Sequence, residues 1–457
     1  MNKTYFFIGI NGIGMSGLAI IMAKKGAHVY GSDISSSLDI NHFKSMGITV
    51  YNYHSKNHIK SDMIVVVSSA INESNEELMA AKKKNCKIFK RGEFLADFEK
   101  DFNCSIGVAG THGKTTTTSL IAHIFSIAGL SPSYFIGGHL LNKEHAILDS
   151  KDIFISELDE SDGSFLDFIA DTIVVTNIES EHLDFFKTKD QLINAFKTFI
   201  EKTTKDGLCV LNLDDPISKR IYKKLDNPSS FLTFGIESNE SKIIAKNIEY
   251  TWQGASFCLS INKNIIGKIQ LNLLGRHNIY NALSAIALCM AQDIPLKHIL
   301  EGIKTYSGVK RRLELKYKGN NILLFDDYAH HPTEILTTLE GVYKSFSKQR
   351  IITIFQPHRF SRLTKLFDKF STSFFRSYLT IILPVFSAGE QSDLSKDSTD
   401  LVSAINLLGG NAHNCVNFDK AITKLESSIK EEDIILVMGA GDVSLISKKI
   451  IPIIQRR

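Results

Sequence analysis

Apolar residues in this chain come in short runs, and nearly every run stops at glycine or at a hydroxyl, acidic or imidazole side chain. Runs at 5–10, 28–31, 63–67, 104–109, 152–156, 171–177, 207–213, 321–325, 351–355, 379–383 and 434–438 read as strands. Between them lie helix-period patterns. Leu120, Ile121, Ile124, Phe125 and Ala128 form one, stopped by Gly129. Ile279, Leu283, Ile286, Ala287 and Met290 form the apolar face of another. Pro332 suits a first helical turn with His331 as its cap. Alternating strand and helix predicts doubly wound α/β structure. Residues 242–274 differ: short β segments around turns such as Asn262-Lys263-Asn264 predict a small antiparallel sheet.

Two polar stretches interrupt the alternation, at 99–103 and at 307–312, and read as hinges. The expected architecture is α/β in three domains. Residues 1–100 form a Rossmann-like N-terminal domain. Residues 101–308 form a central P-loop ATPase-type domain carrying the small antiparallel sheet. Residues 309–457 form a Rossmann-like C-terminal domain. A chain of 457 residues suits several cores rather than one.

With 43% hydrophobic and 22% charged residues the composition is that of a globular protein. The net charge of +4 comes from scattered basic residues, which argues against a nucleic-acid partner. The six cysteines are widely spaced without a C-x-x-C pair, so neither a disulfide framework nor a zinc site is expected, and a reducing cytoplasm fits. No apolar run approaches the ~18 residues that a membrane helix needs.

The chemistry centres on Gly110-Thr111-His112-Gly113-Lys114-Thr115-Thr116, between a strand and a helix. Glycines let backbone N–H groups approach phosphates, Lys114 balances their charge, and the Thr115 hydroxyl can reach magnesium. The strict motif wants glycine where Val108 stands, with Gly107 and Gly110 on either side, so this is a variant loop. Thr115 to Thr118 open the helix poorly by propensity, which bound phosphate or metal would explain. Gly12-x-Gly14-x-x-Gly17 after the first strand, with Asp33 ending the second, is a diphosphate fingerprint that does not say which diphosphate. Glu157 ends a strand, and Glu179 and His182 follow the next one. Ligands collect at such edges, so Glu157 and His182 are expected near the phosphate loop as metal ligands. His277, Asn278 and Asn281 open a helix and suit a purine edge, or cap the helix. Arg311 and Arg312 are either a solvated basic spot or a phosphate contact. Arg359 and Arg362 can fork onto a carboxylate, with His330 nearby for an amine or phosphate.

Three ligand-binding modules suggest an enzyme that joins two pieces using ATP. A carboxylate does not acylate an amine at neutral pH until phosphoryl transfer gives it a leaving group. Lys114 and metal would offset the charge on the transferring group. These motifs together, with Ser156–Phe165, Thr176–Asp184 and Asp326–Glu334, resemble the Mur ligases of bacterial cell-wall synthesis over essentially the full length. The resemblance is to the branch that adds L-alanine to UDP-N-acetylmuramic acid. It implies ATP and Mg2+, with Thr115 and Glu157 on one magnesium and Glu157 with His182 on a second, and Lys114, His182, His330 and Arg359 as catalytic residues. ATP would be held by Gly110 to Thr116, His277, Asn278, Asn281 and Arg311. The first domain would bind the UDP-sugar rather than NAD, through Gly12, Gly14, Met15, Ser16, Asp33, Ser68 and Ser69. His330, Arg359 and Arg362 would position L-alanine.

Later-acting relatives carry a carbamylated lysine in the region of Lys187, Lys189 and Lys197, and none is expected here. Leu158 stands where a smaller residue is usual, and Asn72 where proline is common. The rival readings are a recycling ligase that attaches a tripeptide to the same sugar, a NAD-dependent dehydrogenase, and a non-catalytic nucleotide switch. A monomer or weak homodimer in the cytoplasm is expected, with domain closure over the acyl phosphate.

Overall fold

The computed structural model describes residues 3–35, 38–141, 144–181, 183–205, 207–225, 228–346, 349–390 and 396–456. It divides into two compact units, one of residues 1–246, 258–269 and 280–306, the other of residues 247–257, 270–279 and 307–457.

The first unit opens with β1 (Thr4–Ile8), β2 (His28–Ser32), β3 (Thr49–Tyr51), β4 (Met63–Val67) and β5 (Lys87–Lys90). They form a parallel sheet in the order β3-β2-β1-β4-β5. Helices cover the sheet, so β1 and β4 are almost entirely buried, as their unbroken apolar runs require. The order reverses between β1 and β4, and the glycine loop leaves β1 at that switch point. One edge is fixed by Glu77, a fully buried carboxylate. It accepts hydrogen bonds from Ser32 Oγ (2.5 Å), His54 Nδ1 (2.7 Å), His58 Nδ1 (2.7 Å) and the Ser55 N–H (3.2 Å).

The central strands are β6 (Cys104–Ala109), β7 (Ser133–Phe135), β8 (Ala146–Ile147), β9 (Ile153–Glu157), β10 (Thr172–Val175), β11 (Leu208–Asn212), β12 (Phe231–Gly235), β13 (Ile243–Thr251), β14 (Gly254–Ile261) and β15 (Asn264–Leu271). Their order is β15-β14-β13-β12-β11-β10-β6-β9-β7-β8. The segment expected as a small antiparallel sheet forms three long strands that continue the central sheet. β6 lies parallel between β9 and β10, with Val108 opposite Glu157 and Ala109 opposite Val175. The helix Arg276–Ala291 is buried on nearly all sides rather than along one stripe. Residues 281–289 are all buried, whereas Met290 is only half-buried.

The stretch expected as the first hinge is anchored. Glu99, at the end of the helix Arg91–Glu99, is 2% exposed and accepts the Ile169 N–H at 2.8 Å.

The second unit holds β16 (Glu314–Gly319), β17 (Ile322–Asp327), β18 (Ile351–Phe355), β19 (Leu379–Ile382), β20 (Ala412–Asn414) and β21 (Ile434–Met438), in the order β16-β17-β21-β18-β19-β20. Among the described residues only β16 runs antiparallel, as an edge strand. Two apolar layers flank this sheet, one around Phe325, Phe355 and Leu436, the other around Leu324, Ile354 and Val437. His331 caps the helix Pro332–Ser345 through its side chain, with Glu334 completing the box.

Candidate active site

The turn after β6 is held open by two glycines at φ +124° (Gly110) and +84° (Gly113). A Cβ at Gly110 would strike Thr176 Oγ1, and one at Gly113 would strike Asn281 Oδ1. The loop after β10 grips the same turn. Thr111 N–H donates to the Asn177 carbonyl (2.9 Å), His112 N–H to Asn177 Oδ1 (2.9 Å), and Thr176 Oγ1 to the His112 carbonyl (2.7 Å). Glu179 N–H donates to Thr111 Oγ1 at 2.8 Å, and the His112 imidazole stands 3.7 Å from the Glu179 carboxylate.

Lys114 Nζ turns back over the loop to the carbonyls of Gly110 (2.5 Å) and Thr111 (3.1 Å) and to both oxygens of Glu160. Burial alone would lower its pKa, but the carboxylates of Glu160, Asp159 and Glu157 outweigh it and raise the pKa above the ordinary lysine value. Thr115 Oγ1 donates to Glu157 Oε1 at 2.9 Å, and the Gly137 N–H donates to Glu157 Oε2 at 2.7 Å. A hydroxyl and a carboxylate brought together beside a glycine cradle and a fixed lysine are hard oxygen donors suited to Mg2+ and a triphosphate.

The other threonines are explained by packing. Thr117 and Thr118 are fully buried. Thr118 Oγ1 bonds the Lys114 carbonyl at 2.8 Å, and Thr117 Oγ1 faces Asn281 and Ser284 at 3.4 Å each. Only Thr115 reaches Glu157. Thr116 is buried behind it, its carbonyl accepting from Ser119 Oγ. Asn281 packs on the phosphate loop. Asn278 donates its amide to the Leu274 carbonyl at 2.8 Å, a contact that fits the capping reading left open in the sequence. His277 is half-buried beside it. His182 lies outside the described residues.

In the first domain, Gly12 precedes the helix Ile13–Lys24, in which Gly14 and Ser16 stand and Met15 is buried. Asp33 accepts from the Asn11 N–H (2.9 Å) and the Ser35 N–H (2.9 Å), so it braces the glycine loop. Ser16 Oγ bonds the Ile13 carbonyl (3.1 Å) and faces His145 Nε2 (3.3 Å). Burial and the neighbouring His139 push His145 down to about 4, so its imidazole is neutral. Ser68 and Ser69 follow β4 on the same edge, Ser68 half-buried and Ser69 exposed.

In the second unit, His330 and His358 face each other with ring centroids 5.9 Å apart. His330 Nδ1 donates to the Tyr328 carbonyl at 3.0 Å, which leaves Nε2 as the acceptor. Burial pushes His330 down to about 4 against the pull of Glu334, and burial beside His330 and Arg362 does the same to His358. Arg362 Nη1 lies 3.3 Å from His358 Nδ1. Arg359 is exposed and holds φ +69°, unusual for a residue with a side chain, with Nε 4.0 Å from Glu390. Arg311 is committed inside this unit. Its guanidinium donates to the carbonyls of Gly439 and Gly441 and lies 3.8 Å from Asp326. Arg312 stands 3.9 Å from Glu334. Burial raises Asp326 and Asp327 to about 6.

Three family models match consecutive stretches: the Mur ligase family catalytic domain over residues 4–103, the Mur ligase middle domain over 108–289, and the Mur ligase glutamate ligase domain over 311–441. The chain belongs to the Mur ligase family. It is 38% identical to a UDP-N-acetylmuramate–L-alanine ligase of Desulfatibacillum aliphaticivorans, over 96% of this chain and 95% of that one. It is also 38% identical to the enzyme of that name from Clostridium acetobutylicum, over 97% and 96%. Among solved structures it resembles the UDP-N-acetylmuramate-alanine ligase of Thermotoga maritima, with a TM-score of 0.84 and 26% identity over the whole of both chains. A murein peptide ligase of Psychrobacter arcticus shares the fold, with a TM-score of 0.71 and 24% identity over 99% of each chain.

For a Mur ligase, several residues around the site escape a reading of motifs. Glu160 pairs with Lys114 from within the acidic stretch after β9. Arg91 pairs with Asp159 at 2.8 Å. His358 sits inside a motif that draws attention first to its arginines. Only the acidic stretch carries a local signal, four acidic residues among the six from Glu157 to Asp162.

Proposed function

We propose that this protein joins L-alanine to UDP-N-acetylmuramic acid using ATP, through an acyl phosphate, giving UDP-N-acetylmuramoyl-L-alanine, ADP and phosphate for peptidoglycan precursor synthesis. The observation that carries this reading is the pairing of Thr115 with Glu157 beside Lys114 and Glu160, in a chain matched along nearly its whole length by ligases of that name.

In this reading residues 1–100 bind the UDP-sugar, 101–308 bind ATP, and 309–457 bind alanine. Thr115 and Glu157 would hold one Mg2+, and Glu157 with His182 a second, and these ions would offset the charge of the phosphates. The sugar acid's carboxylate oxygen attacks the γ-phosphorus and ADP leaves, while Lys114 balances charge on the transferring group. Alanine's amine then attacks the acyl carbon and phosphate departs. Arg359 and Arg362 orient alanine's carboxylate. Neutral His330 offers Nε2 to the amine proton, a role that a cationic imidazole does not fill. His277 and Asn281 border the nucleoside. The protein acts in the cytoplasm as a monomer or weak homodimer.

The test is ADP release across an amino-acid panel. Release that needs both UDP-N-acetylmuramic acid and alanine supports the assignment. Release with a tripeptide but not alanine points to the recycling ligase, release with neither to a nucleotide switch, and a nicotinamide absorbance change to a dehydrogenase.

A further inference from the structure

Arg91 opens the helix Arg91–Glu99 at the carboxyl edge of the first sheet, and its side chain is 14% exposed. Nη2 bonds Asp159 Oδ2 at 2.8 Å and lies 3.9 Å from Asp162 Oδ2. The rest of the side chain lies along the glycine loop, where a Cβ on Gly14 would stand 2.9 Å from Arg91 Cδ and 3.1 Å from Nη1. Any larger residue at position 14 would have to displace the arginine. Among the described residues neither Nε nor Nη1 has a hydrogen-bond partner. A guanidinium offers five donors in a fixed plane, and the Asp159 contact occupies one nitrogen.

An arginine fixed at one end, with its remaining donors beside a glycine loop, matches a ligand with several anionic oxygens.

We propose that Arg91 is a binding residue for the diphosphate of the acceptor at the Gly12–Gly17 loop, with Asp159 as the positioning residue that aims its guanidinium. The proposal rests on the reading of the first domain as the sugar-nucleotide site. It also ties that site to a residue outside its own loops: the anchor comes from the same acidic stretch that supplies Glu157 and Glu160.

The test is calorimetric binding of UDP, UDP-N-acetylglucosamine and UDP-N-acetylmuramic acid to the full chain and to Arg91→Ala, Arg91→Lys and Asp159→Asn. Arg91→Ala is expected to weaken all three by about tenfold or more, and Arg91→Lys by less, because a point charge replaces the fork. Asp159→Asn should weaken them several-fold and add little on the Arg91→Ala background. A fluorescent ATP analogue should bind both Arg91 variants as it binds the parent, which checks that the fold is intact. Unchanged affinity of Arg91→Ala for all three ligands would overturn the proposal. A loss confined to UDP-N-acetylmuramic acid would also overturn the diphosphate contact, in favour of the sugar acid's carboxylate. A parent protein that bound none of the three would instead remove the acceptor reading itself.

Discussion

Lys114 Nζ lies 2.9 and 3.1 Å from the two oxygens of Glu160, a carboxylate only 1% exposed. A buried charge left without its partner is costly, so the two residues stand or fall together. Lys114→Ala is expected to abolish ligation while UDP-N-acetylmuramic acid still binds. Glu160→Gln should lower kcat and the thermal midpoint together, at about 3 kcal/mol of stability. Calorimetry of sugar binding with scanning calorimetry checks both, and wild-type turnover in Glu160→Gln would refute the role of the pair.

His330 is expected to be neutral throughout the physiological range. Its Cε1 proton resonance should titrate with a midpoint near 4. Because the unfolded chain takes up this proton near the ordinary value of 6.5 and the folded chain does not, His330 contributes stability that is lost as pH falls from 6.5 toward 4. Glu334 pulls the other way, so Glu334→Gln should move the midpoint lower still. A midpoint at the ordinary imidazole value would leave His330 unsuited to accept an amine proton at neutral pH.

Glu99 has the opposite sign. Burial raises its carboxyl from 4.5 to about 7, and Oε2 has no hydrogen-bond partner among the described residues. The folded state holds a proton that the unfolded chain has already lost, so this contribution is complete below 4.5 and disappears as pH rises through 7. The swing is about 3 kcal/mol. Glu99→Gln cannot ionise and keeps the acceptor for the Ile169 N–H. It should flatten the dependence of the unfolding midpoint between about pH 5 and 8 and raise the midpoint at the alkaline end. A variant that melts like the parent at every pH would show that Glu99 is already ionised.

Arg359→Ala should raise the KM for alanine by about tenfold or more and leave that for ATP nearly unchanged. Equal effects on both would remove its assignment to the amino acid's carboxylate.

The strands were readable because helices cover both faces of the parallel sheets, which forces unbroken apolar runs such as 63–67 and 434–438. Lys114, Thr115 and Glu157 were readable because each stands at the end of such a run. Partnerships between distant residues left no such trace. Arg91 follows Lys90 in a segment that looks like a solvated basic one, and nothing local says that Asp159 will meet it. Periodicity misjudged the helix Arg276–Ala291 because burial on every side erases the polar stripe. Asn278 is open to either reading in the sequence because an amide that caps a backbone and one that reads a purine have the same chemistry. The short turns of 243–271 mark a sheet in the sequence, but nothing local shows that the pairing of β12 with β13 joins it to the central one.

The registry of β6 against β9 and β10 makes length matter more here than filling. Exchanging one aliphatic residue for another inside β6 leaves Val108 level with Glu157. Deleting a single residue would carry the turn one step along the sheet and point Thr115 and Lys114 away from their carboxylates. This strand should therefore tolerate exchange of one aliphatic residue for another of similar size better than any change in count.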